Sequence, residues 1–149
     1  MIKARIHDVH LLIIGRGNLK KLDRLCRIDE QIRLIGYVPA LAPHLNRIAV
    51  MIVPLWHGSG TRIKILEAWA QGIPVVSTSR GAEGLEGTHM EHIWIADSAA
   101  DFATAVVYLL SDQATRDRLS QAAWRLVQQY AWPVIEEQLL AALETHQPA

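Results

Sequence analysis

Short apolar runs alternate with segments of helical periodicity along the whole chain. Val9–Ile14 is an unbroken apolar run closed by Gly15, the pattern of a strand covered on both faces. Leu19–Arg27 is mostly polar with a helical spacing. Ile32–Ile35 gives a second strand ending at Gly36, and Ala40–Ile48 a short helix with Pro43 tolerated in its first turn. Val50–Pro54 is a third strand, Val75–Thr78 a fourth and His92–Ala96 a fifth. Between the third and fourth, a helix is predicted from Thr61, its N-cap, to about Gln71. Its buried face is expected at Ile63, Leu66 and Ala70, with Gly72 just past the C-cap and Pro74 barring continuation. Ala99–Leu110 is an amphipathic helix with Phe102, Val106 and either Leu109 or Leu110 turned inward. Thr115–Tyr130 and Pro133–Glu144 are two more helices, separated by the aromatic break Tyr130-Ala131-Trp132. Apolar strands alternating with helices predict an α/β fold: a Rossmann-like parallel sheet with helices on both faces. Ligands of such sheets bind beyond the carboxyl ends of the strands. Gly15–Asn18, Gly36–Val38, Leu55–Thr61 and Ser79–Gly87 all fall at that edge.

Length and composition narrow the class. The 149 residues suffice for one domain with a sizeable core, and half of them are hydrophobic. Fifteen acids balance fifteen Lys and Arg, so charge offers no argument for nucleic acid or an anionic membrane. A single cysteine, Cys26, excludes an intrachain disulfide and fits a reducing compartment. No apolar run reaches membrane-spanning length and no signal peptide opens the chain, so a cytoplasmic location is expected. There is no repeat, low-complexity block or linker.

The stretch Trp56–Thr78, WHGSGTRIKILEAWAQGIPVVST, carries the chemistry. Its loop His57-Gly58-Ser59-Gly60-Thr61 can turn closely around a ligand because glycine tolerates positive φ. Arg62 and Lys64 stand in the first helical turn, where the partial positive charge of the helix end disfavours cations. Free amides and two cationic side chains at one mouth suit an anion, most naturally a phosphate. Glu67, one turn on, would accept hydrogen bonds from ribose hydroxyls behind it. The competing reading is a surface ion pair between Lys64 and Glu67, contributing roughly a few tenths of a kcal/mol, with Arg62 solvated.

Other motifs are weaker. Gly15-Arg16-Gly17 begins like a dinucleotide fingerprint, but position 20 is Lys and no acid closes the next strand, where Gly36-Tyr37 stands. Gly58–Lys64 has no Gly-Lys-Ser/Thr and is not a P-loop. His89 and His92 lie in a loop without a third ligand and are expected to be solvated rather than metal-binding. Cys26 reads as a small apolar filler. Trp69, Trp94 and Trp124 fit faces turned to the core, whereas Trp56 could line either core or pocket.

GSGTRIKILEAWAQGIPVVST and the following RGAEGL at Arg80–Leu85 resemble the donor-binding core of group 1 (family 4) glycosyltransferases, the retaining nucleotide-sugar enzymes of GT-B fold. LLIIGRG at Leu11–Gly17, IRLIGYV at Ile32–Val38 and Tyr130–Trp132 extend the likeness over nearly the whole chain. The resemblance implies one half of a GT-B fold, the C-terminal, nucleotide-sugar-binding half, spanning residues 1–149. It implies that Arg62 and Lys64 hold the donor diphosphate and are the catalytic cations, with Gly58, Ser59, Gly60 and Thr61 as the phosphate-facing loop. Glu67 falls on the ribose glutamate, Tyr37 and Val38 follow the strand end that receives the nucleobase, and Glu83 belongs to a loop bordering the cleft, with Gly84 and Leu85. No cofactor or metal is implied beyond a nucleotide-diphosphate sugar as donor substrate.

Two departures stand out. The family's first glutamate, eight residues before Glu67, touches the donor sugar and is Ser59 here. The family's first strand and the basic loop after it have no counterpart, so an N-terminally truncated domain is expected. In the strand order 3-2-1-4-5-6 that strand is central, so the sheet would either keep a gap or close by pairing Val9–Ile14 with Val50–Pro54. The resemblance thus implies part of an enzyme that moves a hexosyl unit from a nucleotide sugar to a hydroxyl acceptor with retention. This chain alone would be inactive, and its partner would be an acceptor-binding N-terminal half. No nucleic-acid partner is implied, and any peripheral membrane association would run through the missing half. The alternatives are a nucleotide-sugar epimerase of the same fold, or a non-catalytic nucleotide-sugar-binding subunit served by a separate acceptor-binding chain.

Overall fold

The computed structural model describes residues 1–16, 20–58 and 62–144. They fall into two compact units, Met1–Arg47 and Ile48–Ala149. In the first, β1 (Leu11–Ile14) pairs in parallel with β2 (Ile32–Gly36), joined through α1 (Lys20–Ile28), which packs on β2. β2 alternates between half-buried and exposed positions, so one face is covered and Arg33 and Ile35 stay outside. A short α2 (Ala42–Leu45) closes the unit with Pro43 in its first turn and Leu45 buried.

The second unit holds a parallel sheet of order β3-β4-β5: Met51–Val53, Val75–Ser77 and Trp94–Ile95. All three residues of the central β4 are fully buried. Since neighbours on a strand face opposite ways, both faces of β4 are covered. α3 (Ile63–Ala70) and α5 (Ala99–Ser111) pack on β4, and α6 (Gln113–Val127) packs on both helices. Ile65, Trp69, Val75, Val76, Ile93, Leu109 and Leu119 form the fully buried centre. Phe102, Val106 and Leu109 are the inward positions of α5, as the periodicity predicts.

The turn from α5 to α6 shows how polar groups close the ends. Asp112 ends α5 and caps α6, accepting from the Thr115 amide at 2.6 Å. The Arg116 guanidinium donates to the carbonyls of Leu109 and Leu110 at 2.6 and 3.1 Å, satisfying acceptors the end of α5 leaves free.

Several expectations need correction. Of the two outcomes expected for the sheet, pairing of Val9–Ile14 with Val50–Pro54 is not found: among the described residues the strands form two sheets, and β1 pairs with β2 rather than with β3. The buried face of α3 is Ile65, Ala68 and Trp69, whereas Ile63 and Ala70 are exposed. Six of its eight residues are apolar, so periodicity left two faces open, and the large Trp69 side chain takes the sheet side. Trp124 is exposed on α6 rather than buried. The segment after β4, expected as loop, contains the short helix α4 (Ser79–Ala82). The last helix, α7 (Trp132–Glu144), follows a 3-10 turn at Gln128–Tyr130 and buries none of its residues.

Candidate functional site

At the carboxyl edge of β3-β4-β5 the chain leaves β3 through Pro54–Gly58, and Gly58 takes φ +132, a conformation side chains disfavour. α4 begins directly after β4 at the same edge. Thr78 caps it, its hydroxyl accepting the Gly81 amide at 3.0 Å. The same hydroxyl donates to the carbonyl of Leu55, tying α4 to the segment after β3. Gly81 is where the turn meets the sheet: a Cβ there would stand 2.3 Å from the Ser77 hydroxyl and 2.8 Å from the Val53 carbonyl.

Arg62 joins this turn to α3. It occupies the N-cap position of α3 without a side-chain capping bond, and only 6% of it is exposed. One terminal nitrogen donates to the Arg80 carbonyl at 2.8 Å and lies 3.6 Å from a Glu83 carboxylate oxygen. Its Nε is buried and has no hydrogen-bond partner among the described residues. Arg80 donates one terminal nitrogen to both Glu83 oxygens at 2.9 Å each. Glu83, at the end of α4, is thus faced by two guanidinium groups while its side chain stays 56% exposed.

Lys64 and Glu67 both lie exposed on α3. No ion pair links them, so the surface-pair reading has no support among the described residues. Glu67, expected on ribose hydroxyls, faces solvent because the sheet side of α3 is taken by Ile65, Ala68 and Trp69. Thr61, expected as the cap, lies with Ser59 and Gly60 outside the described residues. In the first unit, Tyr37 is 60% exposed beyond the end of β2, with the Arg16 guanidinium 3.9 Å from its ring centroid, a cation–π contact. Val38 beside it is half-buried, and Gly36 turns with φ +78.

Asp97 is the residue that sequence reasoning missed. It follows β5 at the same edge and accepts both the amide and the hydroxyl of Ser79, at 2.7 and 2.5 Å. The bond from the Ser79 hydroxyl, then that from its amide, holds the Asp97 carboxyl below its ordinary range. The Trp56 indole donates to the Asp97 carbonyl at 3.4 Å, so this exposed tryptophan braces the edge rather than entering the core. His89 and His92 accept the amides of Ile95 and Thr88 through Nδ1, at 3.0 and 3.2 Å, and so shape the loop into β5 instead of being merely solvated. Among the described residues no group of three His, Cys, Asp or Glu could hold a metal ion. No helix among them is long and apolar enough to cross a membrane.

The family model for glycosyl transferases group 1 matches residues 1–112. The chain belongs to this family. This group 1 glycosyl transferase sequence is 32% identical over 143 residues to a phosphatidyl-myo-inositol mannosyltransferase of Mycobacterium leprae, covering 93% of this chain and 38% of that protein. It is also 32% identical over 148 residues to the lipopolysaccharide core biosynthesis glycosyltransferase LpsE of Rhizobium meliloti, covering 94% and 43%. The chain therefore spans less than half the length of these curated relatives. In fold it matches the C-terminal domain of a group 1 family glycosyl transferase, LpcC, from Francisella tularensis, with TM-score 0.74 and 21% identity over 85% of this chain and 72% of that one. The pneumococcal O-GlcNAc transferase GtfA, solved with UDP and GlcNAc, matches with TM-score 0.75 and 15% identity over 98% and 31%. The chain is one half of a GT-B fold.

Proposed function

We propose that this chain is the donor half of a glycosyltransferase that moves a hexosyl unit from a nucleotide-diphosphate sugar to a hydroxyl acceptor, with retention at the anomeric carbon. The observation that carries the reading is the cationic start of α3, with Arg62 at its N-cap and Lys64 two residues on, at the edge where parallel sheets bind ligands. The diphosphate sits against the Gly58–Thr61 loop and the amides that open the helix. Lys64, free of any ion pair with Glu67, adds a charge-assisted hydrogen bond, and buried Arg62 adds its field. Negative charge grows on the departing diphosphate as the glycosidic bond breaks, so these groups lower the barrier by stabilising the leaving group. In this reading the neutralising charge comes from side chains and helix amides rather than from a metal ion.

Glu67 takes the ribose hydroxyls, Tyr37 and Val38 the nucleobase, and Glu83 belongs to a loop bordering the cleft. Fold neighbours solved with UDP, and with UDP and a sugar, support a nucleotide-sugar donor for this chain. The acceptor half belongs to the part of the relatives that this chain does not span, and the reaction is placed in the cytoplasm. Calorimetric titration with UDP and with GDP tests the reading. One of the two should bind, and Lys64→Ala should weaken it by on the order of 1–3 kcal/mol. Absence of binding by both, or an unchanged Kd in the variant, would overturn it.

A further inference from the structure

A cation meant to touch a ligand would be expected at the surface, yet Arg62 is 6% exposed. It spends one terminal nitrogen on the Arg80 carbonyl, and that nitrogen faces Glu83 at 3.6 Å. What it holds is α4, a four-residue turn fastened at its cap, at Ser79 and at Gly81 as well. The Thr78 hydroxyl caps it, Asp97 accepts both protons of Ser79, and Gly81 is wedged against Ser77 and the Val53 carbonyl. The segment leaves α4 through Glu83 and turns away at Gly84 with φ +85. Glu83 is the half-exposed product of this scaffold, a carboxylate whose position is set by a clamped turn and whose charge is offset by two arginines.

We propose that Arg62 is a positioning residue that fixes the α4 turn, and that it acts on the donor through Glu83, which meets the hydroxyls of the hexosyl group. The inference rests on the donor-site reading above. A carboxylate beside a diphosphate would normally repel it, but one faced by Arg62 and Arg80 is locally neutralised. Its remaining lone pairs can still accept from hydroxyl donors, which a sugar has and a free nucleoside diphosphate lacks at that end. An arginine suits the task because its planar fork can address a carbonyl and a carboxylate together, where a lysine presents a point charge.

The experiment compares the chain with its Arg62→Ala, Arg62→Lys, Glu83→Gln and Lys64→Ala variants. Two quantities are measured: amide hydrogen exchange at residues 81–83 without ligand, and the ratio of Kd for UDP-glucose or GDP-mannose to that for the matching free diphosphate. Arg62→Ala should speed exchange at 81–83 at least tenfold and raise the ratio at least fivefold. Arg62→Lys should recover only part of each effect. Glu83→Gln should raise the ratio by a similar factor, and combining it with Arg62→Ala should add little. Lys64→Ala should weaken sugar-bearing and free diphosphates alike and leave the ratio unchanged. Unaltered exchange in Arg62→Ala overturns the positioning role, whatever binds. An Arg62→Ala variant that loses the free diphosphate as Lys64→Ala does, with its ratio unmoved, also overturns it and makes Arg62 a direct contact. If neither diphosphate nor nucleotide sugar binds the unaltered chain, the donor-site reading fails and the sugar role of Glu83 falls with it, while the exchange data still decide whether Arg62 holds α4.

Discussion

Asp97 takes both protons that Ser79 can donate, the amide at 2.7 Å and the hydroxyl at 2.5 Å, and so locks the end of β5 to the start of α4. Both bonds favour the ionised carboxylate, which is why its pKa lies below the ordinary 3.8. A depressed folded-state pKa contributes stability that is complete above the unfolded value and is lost as pH falls through the folded one. Asp29, held down by Lys3 and the Gln31 amide, and Asp112, held down by Thr115, follow the same sign. The share of Asp97 is isolated by comparing the chain with Asp97→Asn. The variant should melt lower at neutral pH, and the gap in Tm should narrow as pH drops below 3.8. A gap constant with pH would mean that the two bonds do not depend on the charge.

Gly81→Ala tests whether α4 is as tightly seated as the distances imply. The added methyl group would meet the Ser77 hydroxyl, the Val53 carbonyl and the Thr78 hydroxyl at 2.3, 2.8 and 3.1 Å. Two of these belong to the sheet and its buried edge, which yield little, so relief requires moving α4 itself. Overpacking of this kind costs about 1–3 kcal/mol, and the upper end is expected in urea unfolding. The displaced turn should also carry Glu83 away from Arg62. A neutral substitution would show that α4 rides loosely on the strand ends.

The elements that the sequence made legible are those whose period repeats long enough to be read. α5 has a full amphipathic repeat, and its inward residues follow the pattern, whereas α3 is apolar on most sides and only packing chose its face. α4 was not legible because four residues, one of them glycine, carry no periodicity; its one local signal is the capping Thr78. The partnership of Arg62 with Glu83 and that of Ser79 with Asp97 span 21 and 18 positions, a separation only the return of strands to one edge can close. Arg62 and Lys64 looked equivalent as a pair of cations. Folding separates them, burying one behind the turn and leaving the other in solvent. The sequence left open whether the sheet would keep a gap or close up, and among the described residues β1 and β3 lie in separate sheets.

Glu67 lies on the solvent side of α3 with no ion pair to Lys64, so its carboxylate makes no visible contribution to the fold. Glu67→Gln should therefore leave the urea midpoint within experimental scatter, surface changes of this kind falling within about 0.5 kcal/mol. If it receives ribose hydroxyls, the same change should weaken UDP or GDP by on the order of 1.5–3 kcal/mol, the worth of hydrogen bonds to a charged acceptor. The deoxyribose analogues should lose affinity in the unaltered chain and lose little more in the variant. Equal affinity of Glu67→Gln for ribose nucleotides would return this residue to ordinary helix surface.

α7 makes the opposite prediction to the core helices. Trp132 is 82% exposed, and Ile135, Leu139, Leu140 and Leu143 are exposed with it, so the helix removes little apolar surface from water. Its described packing is against the 3-10 turn at Gln128–Tyr130. That turn has its own anchor, since the Tyr130 hydroxyl accepts the Glu86 amide at 3.0 Å. A chain ending after Ala131 keeps the anchor and loses α7 with the five residues that follow it. Hydrophobic stabilisation scales with apolar area buried, about 25 cal/mol per Å², and here that area is small. Ending the chain there should thus change the unfolding free energy by less than about 1 kcal/mol, comparable to a few surface substitutions. Leu119→Ala, by contrast, empties a fully buried site on α6 and should cost about 2–5 kcal/mol. Both are read from urea unfolding followed by circular dichroism, on chains of equal concentration. The shortened chain should also be the more soluble, having shed a run of exposed apolar side chains. A loss on truncation as large as that of Leu119→Ala would show that α7 is packed in solution against a surface it does not touch here.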